Sequence, residues 1–219
     1  MHAERRVGRC PGGSDVSDFV CGLVLAAGGS KRLGQPKQLL AFGSAGTLLE
    51  HVLGAARACP EFDQRLCVLG GGGPDVRGTV DLSGFDVVSN EAFGEGCSSS
   101  IAAALSAIDE RAEVLVLMLG DQPGVTPDAV AALLAGRGDA SLAACGYDDG
   151  RGHPLAFARG VFGELAGLHG DKGVWRLLDQ RASEVVDVRV AGTVPPDVDT
   201  WEDYDALLAQ AETAGGAAR

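Results

Sequence analysis

A doubly wound α/β layer around a single, mostly parallel sheet is the fold class this sequence predicts, on three observations. Short, nearly uncharged apolar runs alternate with segments of helical spacing along almost the whole chain. Each apolar run is followed by Gly, Asn or Asp, the residues that end strands. The length of 219 residues suits one domain with a well-buried core and is too short for two enzymatic domains. The expected domain covers residues 19–212, with mobile tails at 1–18 and 213–219. The first tail mixes Arg5, Arg6 and Arg9 with Pro11, Gly12 and Gly13 and has too few apolar residues to repay ordering entropy.

The run 19–27 carries no charge and is bounded by Gly28 and Gly29, which predicts a strand buried on both faces. Further strands are predicted at 66–69, 85–88, 114–119, 142–145 and 185–190. Helical spacing predicts helices at 47–58, 98–108, 126–134, 161–168, 174–180 and 200–210. Two starts are clear: Thr126 precedes a Pro at the first helical position, and Thr200 is followed three residues later by Asp203. The four consecutive glycines at 70–73 predict a flexible turn.

Composition narrows the function. Thirty Asp and Glu against 18 Lys and Arg give a formal charge of -12, which repels polyanions and argues against nucleic-acid or anionic-membrane partners. Any phosphate site should therefore be locally basic. Cys10, Cys21, Cys59, Cys67, Cys97 and Cys145 form no Cys-x-x-Cys pair, which points to a reduced, cytoplasmic setting without a zinc ribbon. No apolar run approaches the roughly 20 residues of a membrane span.

Ligands of open parallel sheets bind beyond the carboxyl ends of the strands, so the loops leaving the strands matter most. After the first strand the chain reads Leu25, Ala26, Ala27, Gly28, Gly29, Ser30, Lys31, Arg32, then Gly34 and Lys37. Small residues let backbone N–H groups approach phosphate oxygens, and three cations stand in a short span. A triphosphate cradle fits this composition, and an ordinary turn with solvated cations is the alternative. Neither a Walker A loop nor a G-x-G-x-x-G dinucleotide turn can be read there. A second loop, Gly120-Asp121-Gln122-Pro123, places one carboxylate at the mouth of a central strand. Magnesium needs only one or two carboxylates besides substrate phosphates, so Asp121 is a candidate ligand, with a turn-forming role as the alternative. Asp197 and Asp199, before the last helix, are candidates for a second ligand, or else complement that helix's dipole.

The pattern L-A-A-G-x-S-x-R-x-G-x-x-K-x-L-L over residues 25–40 resembles the opening motif of the MobA-like nucleotidyltransferases, in particular their molybdenum cofactor cytidylyltransferase branch. The resemblance spans about 21–208, with Gly120 to Pro123 matching G-D-x-P and 197–203 matching D-I-D-T-P-E-D. It implies a nucleotide-diphospho-sugar transferase-like fold and Mg²⁺ held by Asp121 and Asp199. Arg32, Lys37 and Asp121 are then the catalytic candidates, and the loop from Leu25 to Ser30 binds the nucleotide. The stretch 90–101 is similar to N-x-x-x-x-x-G-M-S-S-S-L, implying nucleotide contacts from Gly96, Ser98 and Ser99, with Cys97 in place of Met. The segments 150–157 and 170–173 resemble G-R-x-G-x-P-x-L-F and G-D-x-G, implying that Gly152, His153, Pro154 and Asp171 receive the acceptor. Beyond Gly173 the family pattern Ala-Arg is replaced by Val174-Trp175-Arg176.

The expected reaction moves a nucleoside monophosphate, CMP from CTP by the Ala26-Ala27 and Gln122 features, onto the phosphate of a molybdopterin-type acceptor. A molybdoenzyme or its chaperone is the expected recipient of the product. A guanylyltransferase, a sugar-phosphate nucleotidyltransferase and a non-catalytic nucleotide-binding accessory protein are the alternatives.

Overall fold

Strand β1 (Phe19–Ala26) is buried because its residues feed two apolar layers at once. Val20, Val24 and Ala26 point into one cluster and Cys21, Leu23 and Leu25 into the other. That explains why the run is continuously apolar rather than alternating. The computed structural model describes residues 18–216 except Lys31, Ser44 and Ala45, with side chains to residue 212. Residues 1–17 and 217–219 of the predicted tails lie outside the described residues, whereas 213–216, also expected in a tail, continue the last helix. Asp18, expected in the tail, instead takes an ion pair from the Arg137 guanidinium at 2.8 Å.

The remaining elements follow in order. A two-residue hairpin, β2 (Ala41–Phe42) and β3 (Gly46–Thr47), leads into α1 (Leu48–Arg57). Then come β4 (Gln64–Leu69), α2 (Gly73–Thr79), β5 (Asp86–Ser89), α3 (Cys97–Leu105), β6 (Ala112–Leu119) and α4 (Pro127–Arg137). The C-terminal half adds β7 (Leu142–Gly146), β8 (Arg151–Ala158), α5 (Phe162–Ala166), α6 (Gly173–Gln180), β9 (Val185–Arg189) and α7 (Trp201–Gly216). The seven-stranded sheet has the order β5-β4-β1-β6-β8-β7-β9. Helices α1, α2 and α4 cover one face, and α3, α5 and α6 the other.

Local chemistry sets the helix starts. Thr47 and Glu50 form a reciprocal capping box on α1, Thr126 accepts from the Ala129 N–H on α4, and Thr200 exchanges hydrogen bonds with Asp203 before α7.

Two segments depart from the sequence expectation. The glycine run 70–73 is not simply a flexible turn, because Gly73 opens α2 with a proline in its first turn. Strand β8 was not predicted as a strand at all. It pairs antiparallel with both β6 and β7 inside an otherwise parallel sheet. Gly150, Gly152 and Pro154 mask its strand character, and a register shift between Ala144 and Cys145 leaves His153 and Pro154 without partners on β7. A proline, which has no N–H to donate, is tolerated at such a bulge. On the other side β8 pairs with β6 only from Leu155 onward, so His153 lies where the sheet opens.

A third apolar cluster positions the site. Leu33 and Leu40 from the glycine-rich loop pack with Phe42, Leu48, Val198 and Leu207. Val198 is fully buried and is flanked by Asp197 and Asp199, so burying it docks the C-terminal acidic segment against the base of the loop.

Candidate active site

The carboxyl ends of β1 and β6 lie side by side, and Gly120 is tied to β1 by its N–H donating to the Leu25 carbonyl at 2.9 Å. A cleft of about 930 Å³ opens above them. The loop leaving β1 turns through Ser30, whose φ is 47°, and the Ser30 Oγ accepts from the Lys37 N–H at 2.9 Å. Gln38 is 4% exposed and donates through Nε2 to the Ala26 and Gly28 carbonyls at 2.7 and 3.2 Å. These bonds fold the loop back on its own strand and carry the Lys37 side chain over the strand ends.

Lys37 is the centre of the site. Its ammonium donates to Asp121 Oδ2 at 2.5 Å and to Asp199 Oδ1 at 2.9 Å, joining three segments remote in sequence. Burial opposes its charge, but Asp121 and then Asp199 outweigh that effect and raise its pKa above the ordinary lysine value. Asp121 is largely buried at the end of β6, whereas the Asp199 side chain is 58% exposed. Arg32 sits on the rim with a loose 3.9 Å approach to Asp199. Asp197 also borders the cleft. Desolvation first, and then the charge of Asp121, raises its pKa, while its Oδ1 accepts from Gln122 Nε2 at 2.6 Å.

Of the residues singled out from the sequence, Leu25, Ala26, Ala27, Gly28, Gly29, Ser30, Arg32, Lys37, Gly96, Asp121, His153, Asp171 and Asp199 all line this one cleft. Lys31 lies outside the described residues. Ser98 and Ser99 do not line it. Ser98 is buried and donates to the Gly170 carbonyl at 2.6 Å, and Ser99 donates to the Gly96 and Ala92 carbonyls, so both pin loops. Ser100, one residue on, does reach the cleft. Gly152 and Pro154 are also off the wall: a Cβ on Gly152 would meet Val194 at 2.9 Å, which makes it a close-packing glycine of the sheet. Gln122 is 3% exposed and turned toward Pro195 and Asp197, so it does not face a base.

Gly96 needs its glycine, with φ at 99° and a Cβ position 2.7 Å from the Gly170 backbone. Gln38, Phe93 and Trp175 were not singled out from the sequence for the cleft. Phe93 is wedged among glycines, since a Cβ on Gly71 would strike its ring at 2.4 Å. Its signals in the sequence were the glycine run after β4 and its place in the 90–101 stretch.

The loop cations Arg32 and Lys37 reach the cleft together with carboxylates. Among the described lining residues, four carboxylates, Asp121, Asp171, Asp197 and Asp199, face three cations, Arg32, Lys37 and Lys172. Lys37 is moreover already neutralised by its partners. Carboxylates so placed favour an anionic ligand that carries a divalent ion over a bare one. The donor set fits that ion, because Asp121 and Asp199 present carboxylate oxygens within reach of one small cation, now contributed by lysine.

A family model described as MobA-like NTP transferase domain matches residues 22–185. Nicotine blue oxidoreductase from Paenarthrobacter nicotinovorans is 30% identical over 86% of this chain and 96% of its own. The crystal structure of the homologue of Mycobacterium tuberculosis Rv0371c from Mycobacterium sp. strain JC1 is 52% identical, with a TM-score of 0.81 over 87% of this chain and 96% of that one. Rv0371c from M. tuberculosis H37Rv, in complex with manganese, is 44% identical, with a TM-score of 0.79 over 87% and 98%. A nucleotidyl transferase from Methanothermobacter, 19% identical with a TM-score of 0.73 over 88% and 97%, shares the nucleotide-diphospho-sugar transferase fold. With three quarters of its length matched by that model and its glycine-rich loop, acidic loop and sheet in the expected places, the chain belongs to the MobA-like NTP transferase family.

Proposed function

We propose that this protein transfers a nucleoside monophosphate, CMP from CTP, to the phosphate of a molybdopterin-type acceptor and releases pyrophosphate, using Mg²⁺. The observation that carries the reading is the Lys37 ammonium of the glycine-rich loop held by Asp121 and Asp199 at the mouth of one cleft. The manganese complex of Rv0371c supports a divalent ion. Asp121 and Asp199 would hold that ion, which supplies charge neutralisation for the triphosphate.

The acceptor phosphate carries about -1.5 to -2 charges near neutrality and needs no dedicated base. One of its oxygens forms a bond to the α-phosphorus while the bond to the pyrophosphate oxygen breaks in line, and the lost bond's electrons leave with pyrophosphate. Lys37, freed from one carboxylate, and Arg32 on the rim neutralise the phosphates, and Gly28 and Gly29 line the same cleft. Positioning and electrostatics account for the rate in this scheme, in keeping with a cleft that presents no paired nucleophile and base among the described residues. The free, mostly buried thiols Cys21, Cys59, Cys67 and Cys145 suit a reduced cytoplasm, and among the described residues no helix is long and apolar enough to cross a membrane.

Pyrophosphate release with each nucleoside triphosphate, with and without molybdopterin, tests the proposal. Release with CTP that depends on molybdopterin is expected. Preference for GTP would make the enzyme a guanylyltransferase, and no release with any acceptor would leave a binding protein. The relative named nicotine blue oxidoreductase carries a second reading, oxidation and reduction, which turnover of an electron donor without pyrophosphate release would favour.

A further inference from the structure

The cleft wall contributed by β8 and α6 is built differently from the glycine-rich loop. His153 stands there on β8, 6% exposed and lining the cleft, and no protein hydrogen bond reaches its ring among the described residues. Burial pushes its pKa down to about 4, so the imidazole is neutral at physiological pH. A neutral imidazole presents one N–H donor and one ring-nitrogen acceptor. Both groups remain available to a ligand in the cleft. Trp175 of α6 packs edge-to-face against this ring, with centroids 5.4 Å apart and planes at 78°. Trp175 is half-buried and also lines the cleft, beside the buried Leu117 of β6 and Val174 of α6.

We propose that Trp175 and His153 form the specificity subsite for the acceptor, which stacks a planar heteroaromatic ring on the Trp175 indole and matches the ring's donor–acceptor edge to the His153 imidazole. This deepens the nucleotidyl-transfer reading, and rests on it only for the assignment of the ring to the acceptor. The chemistry favours a fused, uncharged heterocycle with adjacent N–H and C=O or ring-nitrogen groups. An indole offers a large π-face that attracts such a ring, while a charged ligand edge would find no opposite charge at His153. Trp175, Val174 and Leu117 give this wall the apolar area that a ring face needs, with Asp171 and Lys172 beside them.

The chain has two tryptophans, Trp175 and the exposed Trp201 on α7, so Trp201→Phe leaves a single reporter in the subsite. Titrating that variant with 6-hydroxymethylpterin should quench its fluorescence saturably, and glucose 1-phosphate should not. By calorimetry, Trp175→Ala should weaken pterin binding by about tenfold or more, the scale of one lost stacking contact. Trp175→Phe should recover most of it, and both should bind CTP in the presence of Mg²⁺ as the parent does. His153→Gln, which keeps a donor and an acceptor, should retain pterin binding that His153→Leu loses. Saturable quenching by CTP but not by the pterin would move Trp175 to the nucleotide side and overturn the proposal, as would the absence of quenching by the pterin with CTP binding intact. Pterin quenching without pyrophosphate release from any triphosphate would uphold the ring subsite while refuting nucleotidyl transfer.

Discussion

Gln122 holds Asp197: its Nε2 donates to Asp197 Oδ1 at 2.6 Å, while Asp199, two residues on, leaves its carboxylate to Lys37 and the open cleft. The two aspartates thus have different duties although they share one short segment. Asp197 is half-committed to bracing the acidic loop, and Asp199 is the one free to meet a cation. Asp199→Asn is expected to lower kcat/KM about a hundredfold and to weaken Mn²⁺ binding measured by electron paramagnetic resonance. Asp197→Asn, whose amide oxygen still accepts from Gln122, should cost less than about tenfold. The reverse ranking would exchange their roles.

Asp121→Ala should lower nucleotidyl transfer by at least about a hundredfold, the scale of a lost electrostatic stabiliser, with little change in melting temperature. Lys37→Ala should lower kcat/KM comparably. Because the two side chains share one short contact, the double variant should lose much less than the product of the single losses. Full multiplicativity in steady-state kinetics would show that they act independently.

Gly70→Ala and Gly54→Ala should move stability in opposite directions. A Cβ on Gly70 would lie 2.3 Å from the Ala27 carbonyl oxygen, a backbone atom that cannot swing away. The variant should lose about 1–3 kcal/mol by urea unfolding, the scale of an overpacked site, and should bind nucleotide more weakly because Ala27 belongs to the loop. Gly54 lies on the exposed side of α1 with nothing within 4 Å of a Cβ, so alanine there should gain up to about 1 kcal/mol.

His153 should leave a signature in the pH dependence of stability. Its folded pKa of about 4 lies below the unfolded value of 6.5, so the unfolded chain binds the extra proton between these limits. Stability from this group is therefore complete above pH 6.5 and is lost as pH falls through 6.5 toward 4. Between pH 7.5 and pH 5 the loss should be about 2 kcal/mol. His153→Gln should remove that component, seen as a flatter difference between urea unfolding at the two pH values. An equal slope in both proteins would mean that the imidazole is not buried in solution.

What could be read from the chain alone was whatever depends on local order. The uncharged run of β1 revealed a doubly covered strand, Thr126 and Thr200 marked helix starts by their own capping chemistry, and the loop from Leu25 to Lys37 showed its phosphate-like composition. Strand β8 escaped because its bulge around His153 and Pro154 is allowed by neighbours remote in sequence, and glycines and a proline look like a loop until β6 and β7 flank them. The serines of α3 could not be sorted, since which of three adjacent hydroxyls faces the cleft depends on where Gly96 starts the helix and on Gly170, which Ser98 meets. Only tertiary structure decided that Asp121 and Asp199 share one ammonium, 84 and 162 residues from Lys37. It also showed carboxylates outnumbering cations among the described residues of the cleft wall. Burial of Val198 against Leu33 and Leu40 brings those charges together, and long-range packing of that kind leaves no periodic trace in sequence.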